Sequence, residues 1–183
     1  MTLFVDWLRE RGHSVVTCRD PGTTDMGEAV RAILLGAQYE IGARAEMLLY
    51  MACRAQLVEE VIRPAVDRGD VVVSDRFLLA NVAYQGAAVD TDLIWQTGEV
   101  ATDGVMPDMT FVLDLSPSEA AKRLGEQRDR MESRGLDYFE KVRSLFRDQA
   151  ANFPETHRVI DAMQPIDAMQ DMIRETTSKL LEG

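Results

Sequence analysis

The sequence predicts an α/β fold, a mostly parallel sheet with helices on both faces. Three observations carry that expectation. Short β-branched runs alternate with longer amphipathic segments along the whole chain. Val71, Val72 and Val73 follow Gly69 as a continuous apolar run, which suits a strand covered on both faces rather than one with a wet side. No linker, repeat or low-complexity stretch divides the 183 residues, so residues 1–183 are expected to form one domain.

Each element follows from its local pattern. Leu3, Phe4, Trp7 and Leu8 share one face of a helix from Thr2 to Arg11, and Gly12 ends it. Ser14 to Cys18 reads as a short strand. The loop from Asp20 to Gly27, DPGTTDMG, leads to a helix over Glu28 to Leu35. From about Ala43 to Asp67 a long helix carries Met47, Leu48, Met51, Leu57, Val58 and Val61, and Pro64 bends its last turn. Strand 71–74, helical segments at about 77–86 and 90–103, and strand Thr110 to Asp114 follow. Ser116 caps a helix whose Pro117 suits the first turn. An arginine-rich stretch, Arg123 to Arg134, precedes a helix over Tyr138 to Asn152, strand Arg158 to Asp161, and a final helix after Pro165.

Composition excludes several function classes. The chain is 46% hydrophobic and 28% charged with a formal net charge of −11, a poor match to a duplex nucleic-acid binder, which needs a basic face. Any anionic ligand must then be held by a local arginine cluster. Cys18 and Cys53 lie in apolar contexts without CxxC or His/Cys spacing, so both read as reduced packing residues. No stretch approaches the roughly 18 apolar residues of a membrane span, and the N-terminus has no signal-peptide pattern. A cytoplasmic protein without membrane or nucleic-acid partners is expected.

The stretch Val71 to Gly86, VVVSDRFLLANVAYQG, holds the first chemistry. Asp75 and Arg76 fall at the carboxyl end of a strand, where open α/β sheets bind ligands. A surface ion pair at the strand terminus is the plain alternative. The chain opens on a helix and contains neither G-x-x-x-x-G-K-[ST] nor G-x-G-x-x-G, the loops that cradle phosphates on backbone N–H groups.

Segments in the same order along the chain resemble the bacterial thymidylate kinase family. DWLRERGHSVVTCRDPGTT resembles its first helix, second strand and E-P-G-G-T loop, with Asp20 for Glu and Thr23 for the second Gly. ARAEMLLYMACRAQLVEEVIRPA resembles R-A-E-L-L-L-F-x-A-x-R-A-Q. DRFLLANVAYQG resembles D-R-Y-x-x-S-x-x-A-Y-Q-G, while DRMES and VIDAMQP resemble the D-R-I-E lid and the terminal I-D-A-x-x-P. The resemblance implies a doubly wound sheet of the P-loop NTPase kind whose first, central strand and G-x-x-G-x-G-K-T-T-Q loop align before Met1. Either a late start site or supply of the missing segment by other means is therefore expected, and reading the upstream DNA in frame tests the first.

The same resemblance implies transfer of the γ-phosphoryl of ATP to dTMP, giving dTDP, with Mg2+. Arg76 would hold the acceptor phosphate, since a guanidinium can bind two of its oxygens. Asp75 would orient Arg76 or a magnesium-bound water. Tyr50 would stack on thymine, and Arg54, one helical turn on, would reach a thymine carbonyl. Asn81 would lie near the base, Tyr84 would flank the deoxyribose, Gln85 would line the same pocket, and Asp20 joins the substrate side. From the residues alone Tyr50 and Tyr84 could be core aromatics, Arg54 could pair with Glu46 or Glu59, and Asn81 could be exposed.

Arg123, Arg128, Arg130 and Arg134 form a second constellation within a lid at about 123–137. Arg128 and Arg130 would be catalytic and Arg123 and Arg134 would meet ATP. They converge only if the segment breaks from one helix, which Gly125 and Gly135 permit. A solvated helix with Glu126, Asp129 and Glu132 as partners is the alternative. A homodimer through the 43–67 helix is implied as well. Without a phosphate loop the chain by itself is expected to be inactive, and a degenerate, non-catalytic relative that binds nucleotide or dimerises is the rival.

Overall fold

The computed structural model describes residues 1–36, 38–123, 131 and 134–182. Helix α1 spans Thr2–Glu10, strand β1 Val15–Arg19, α2 Asp25–Leu35 and α3 Ala43–Leu57. A π-helical turn over Val58–Ile62 joins α3 to α4, Arg63–Asp67. Strand β2 is Val71–Asp75, α5 Leu78–Gln85, α6 Thr91–Thr102, β3 Thr110–Asp114, α7 Pro117–Arg123, α8 Leu136–Asn152, β4 His157–Asp161 and α9 Ile166–Glu182.

Two local expectations shift. In α1 the buried residues are Val5, Trp7 and Leu8, while Leu3 stays half exposed. Helix α2 starts three residues earlier than its apolar pattern indicated, because Thr24 caps it, accepting a 2.9 Å bond from Gly27 N. The effect of Pro64 is larger than a bent last turn. Proline has no N–H to offer the carbonyl four residues back, and the helix widens ahead of it, Arg63 N bonding Val58 O.

The four strands form two parallel pairs, β1 with β2 and β3 with β4. Among the described residues no ladder joins β2 to β3. Three apolar clusters hold the layers together. Met47 and Met51 of α3 pack with Leu78, Val82, Ile94 and Ala101 of α5 and α6. At the end of α3 and in the π turn, the same run of chain serves the strands, Leu57, Val58 and Ile62 packing with Cys18 and Val72. Leu79, Val112 and Ala150 link α5, β3 and α8. No helix among the described residues is long and apolar enough to cross a membrane. Cys18 and Cys53 are buried free thiols, as their apolar contexts indicated.

Candidate functional site

The site is built where β2 stops and α3 faces α5. Ser74 Oγ donates to Arg76 O at 2.7 Å, and Arg76 itself has φ 70°, the left-handed region that a non-glycine residue enters at a cost. The chain thereby leaves the strand sharply, and the exposed guanidinium lies over the Tyr84 ring, 5.3 Å from its centroid. Asp75 is exposed at the strand end. Its carbonyl accepts a bond from Asp20 N at 3.0 Å, which ties the DPGTT loop to the site. Among the described residues no ion pair joins Asp75 to Arg76, so the plain reading of that pair is not what the structure holds.

Behind Arg76 the residues are buried. Glu46, Tyr50 and Arg54 recur every four residues on α3 and share a face. All three are buried, as are Asn81 and Gln85 on the facing side of α5. Arg54 pairs with neither of its near neighbours Glu46 and Glu59. Its Nη2 donates to Asp20 Oδ2 at 2.5 Å and to Asn81 Oδ1, and its Nη1 lies 3.1 Å from Met51 Sδ. Asp20 is 2% exposed and Arg54 1%. Burial pushes the Asp20 carboxyl above the usual carboxylate range, with the Arg54 charge opposing.

Two atoms of this pair remain without a partner among the described residues, Asp20 Oδ1 and Arg54 Nε. A buried orphan acceptor beside a buried orphan donor is expensive. Both belong to residues that border the space lined by Tyr50, Arg76, Asn81, Tyr84 and Gln85. That space measures only about 10 Å³, so the pocket is closed on itself, with exposed Arg76 and half-buried Tyr84 as its outer wall.

The network continues away from Arg54. Asn81 Nδ2 donates to Gln85 Oε1 at 3.0 Å, Gln85 Nε2 to Glu46 Oε1 at 3.0 Å, and Arg134 Nη2 to Glu46 Oε2 at 2.6 Å. Arg134 Nη1 also donates to Tyr138 Oη at 3.1 Å, and that hydroxyl donates to Tyr84 O at 2.8 Å. Arg134 is therefore tied to the α3–α5 pocket. Arg123 points elsewhere, its Nη2 donating to Ala162 O at 3.2 Å. Arg128 and Arg130 lie outside the described residues.

Arg76 and Tyr84 also border two larger spaces. One, about 580 Å³, lies between the end of β2 and β3, and the other, about 420 Å³, between β3, α7 and α8. At the carboxyl end of β3, Arg143 grips Asp114 through both oxygens at 2.7 and 2.9 Å, and that bonding holds the Asp114 carboxyl below its ordinary value. Sequence reasoning missed this pair, and it passed over Glu46 except as a rival partner for Arg54. The signal for Glu46 was present: it sits in the R-A-E segment, on the Tyr50–Arg54 face. Among the described residues no three His, Cys, Asp or Glu side chains gather as metal ligands.

An α/β fold with an arginine at a strand's carboxyl end, backed by a buried pocket of amides, carboxylates and a guanidinium, defines a nucleotide-binding protein. The family model described as thymidylate kinase matches residues 1–173. The chain belongs to the thymidylate kinase family, whose members are phosphotransferases. It is 44% identical over 173 residues to the thymidylate kinase of Rhodopirellula baltica, covering 93% of this chain and 71% of that protein. It is 41% identical to the thymidylate kinase of an Exiguobacterium strain, covering 100% of this chain and 88% of the other. The fold is similar to the crystal structure of thymidylate kinase from Ehrlichia chaffeensis, with a TM-score of 0.70 and 30% identity over 87% of this chain and 81% of that one.

Proposed function

We propose that these residues form the acceptor site of a dTMP kinase, which transfers the γ-phosphoryl of ATP to the 5′-phosphate of dTMP. The observation that carries this reading is the convergence of Arg54, Asp20, Asn81 and Gln85 behind Arg76. Among the described residues, Arg54 Nε, a donor, and Asp20 Oδ1, an acceptor, are the two buried groups there still lacking partners. A thymine edge offers the complement, a carbonyl oxygen and the N3–H. Tyr50 supplies an aromatic face, Tyr84 flanks the sugar, and Gln85 lines the pocket. Admission of the ring takes outward rotation of the Arg76–Tyr84 pair, the exposed wall.

Arg76 then holds the 5′-phosphate. Asp75 offers a lone carboxylate, which suits Mg2+, an ion held by one or two carboxylates together with phosphate oxygens and water. Arg123, Arg128 and Arg130 serve the ATP side of a lid over 123–137, stabilising charge on the phosphoryl group in flight, whereas Arg134 is held at the acceptor pocket by Glu46. Residues 1–183 act as one domain in the cytoplasm. The homodimer forms through the outward stripe of α3, where Ala45, Leu48 and Ala52 are exposed at helical spacing.

A second reading is a chain that binds dTMP without turning it over. Titration with dTMP, followed by a coupled ATP/dTMP assay on the same preparation, separates the readings: binding with turnover supports the kinase, and binding without turnover supports the second. A chain that binds no dTMP overturns both.

A further inference from the structure

We propose that Glu46 is a positioning residue for base specificity: its carboxylate sets the hydrogen-bonding polarity of Gln85 and Asn81, and thereby makes the pocket select a ring carbonyl over a ring amino group. The inference rests on the reading of this pocket as the nucleobase site.

An ionised carboxylate can only accept, and a guanidinium can only donate, whereas a carboxamide can present either end. Glu46 is 1% exposed, and its Oε2 takes the charge-assisted bond from Arg134 at 2.6 Å. Its Oε1 therefore fixes the Gln85 amide with the NH2 toward α3. That leaves Gln85 Oε1 facing Asn81, so Asn81 must turn its own NH2 toward Gln85 and its Oδ1 toward Arg54. The relay is consistent from end to end, with each amide held in one of its two orientations.

The consequence lies at the pocket. Asn81 Nδ2 spends one N–H on Gln85 and keeps a second that has no partner among the described residues. With Arg54 Nε, the site then presents two donors and, at Asp20 Oδ1, one acceptor. A pyrimidine with a 4-carbonyl and an N3–H complements that array. A 4-amino pyrimidine, with a donor at C4 and an acceptor at N3, opposes it and leaves buried polar groups unpaired.

Glu46→Gln removes this instruction while keeping the shape. The new amide has one acceptor oxygen for the two donors named above, Arg134 and Gln85. If it serves Arg134, its NH2 faces Gln85, which must turn over and present its NH2 to that of Asn81. Arg54 still holds Asn81 Oδ1, so discrimination weakens rather than vanishes, by about fivefold for one lost orienting bond.

The test is calorimetric titration of the wild-type chain, E46Q, Q85M and the E46Q/Q85M double variant with dTMP and with dCMP. The expected result is preference for dTMP in the wild type, a preference about fivefold smaller in E46Q, and a double variant no different from Q85M, because Glu46 acts through Gln85. Equal weakening of both nucleotides in E46Q, with the ratio kept, assigns Glu46 a merely structural role and overturns the proposal. Should E46Q not fold, Q85M decides, since an unchanged ratio there overturns it as well. A wild type that binds neither nucleotide overturns the nucleobase reading and this inference together, a failure separate from an unchanged ratio.

Discussion

The α3–α5 pocket and the space between β2 and β3 meet at Arg76, yet they are built in opposite ways. In the first, side chains from the Asp20 loop, two helices and Arg134 bind one another until about 10 Å³ remains. In the second, about 580 Å³ stays open beside Phe77, Leu79, Trp95, Val112 and Phe146. The pocket owes its order to directional bonds between buried charges and amides, each of which fixes the next. The strand gap has mostly apolar walls, and those do not specify a partner's orientation. Chemical selectivity is therefore concentrated on the α3–α5 side, and perturbations on the two sides should differ in kind as well as in size.

The largest difference is expected from Arg54→Met. It leaves Asp20 buried without its cation, and a melting experiment should show a loss of about 3 kcal/mol together with loss of dTMP binding. A loss below about 1 kcal/mol would mean that the pocket is no more committed than the gap. Arg76→Ala, at the shared rim, should weaken dTMP binding by about 100-fold through the missing phosphate bonds, while binding of thymidine, which has no phosphate, stays the same. Equal loss for both ligands would move Arg76 from the phosphate to the base.

Acid stability sharpens the contrast further. Arg143 holds the Asp114 carboxyl below its ordinary value of 3.8, so the stability this pair contributes is complete above that value. It is lost as pH falls through the depressed native pKa. Asp114→Asn should flatten that acid limb in urea titrations between about pH 4 and 2. Asp20, raised by burial, runs the other way, favouring the native state below its ordinary pKa and losing that contribution as pH rises through the native one. On the thiol side, Cys53 is buried with its pKa pushed up to about 11. It should resist thiol reagents at pH 8 in the native protein and react on unfolding. The smallest effect is expected from Leu113→Ser on β3, where the side chain is 55% exposed, within about 0.5 kcal/mol of wild type.

Much of the framework of the candidate site was legible from the sequence. Val71 to Val73, then Asp75 and Arg76, announce a strand with a charged carboxyl end through a local pattern; the structure has that strand at Val71–Asp75, but its valines are only partly buried rather than covered on both faces. The four-residue spacing of Tyr50 and Arg54 likewise gave a shared face. The partnership of Arg54 with Asp20 was not legible, because 34 residues separate them and glutamates such as Glu46, Glu59 and Glu60 lie nearer along the chain. The Glu46–Arg134 bond spans 88 residues and joins segments that sequence reasoning had assigned to different substrates. Pro64 signalled an interruption, but the choice between a kink and a π turn depends on what Leu57, Val58 and Ile62 must pack against.

The left-handed backbone of Arg76 sets stability against utility at one position. A side chain at φ 70° carries a backbone penalty of about 1 kcal/mol that glycine would escape. Arg76→Gly would relax the turn after β2 and discard the guanidinium in the same step. A search for heat-hardened variants that selected on melting temperature alone would be drawn toward that exchange. If Arg76 is the phosphate ligand proposed above, that exchange would trade a bound substrate for a more relaxed turn.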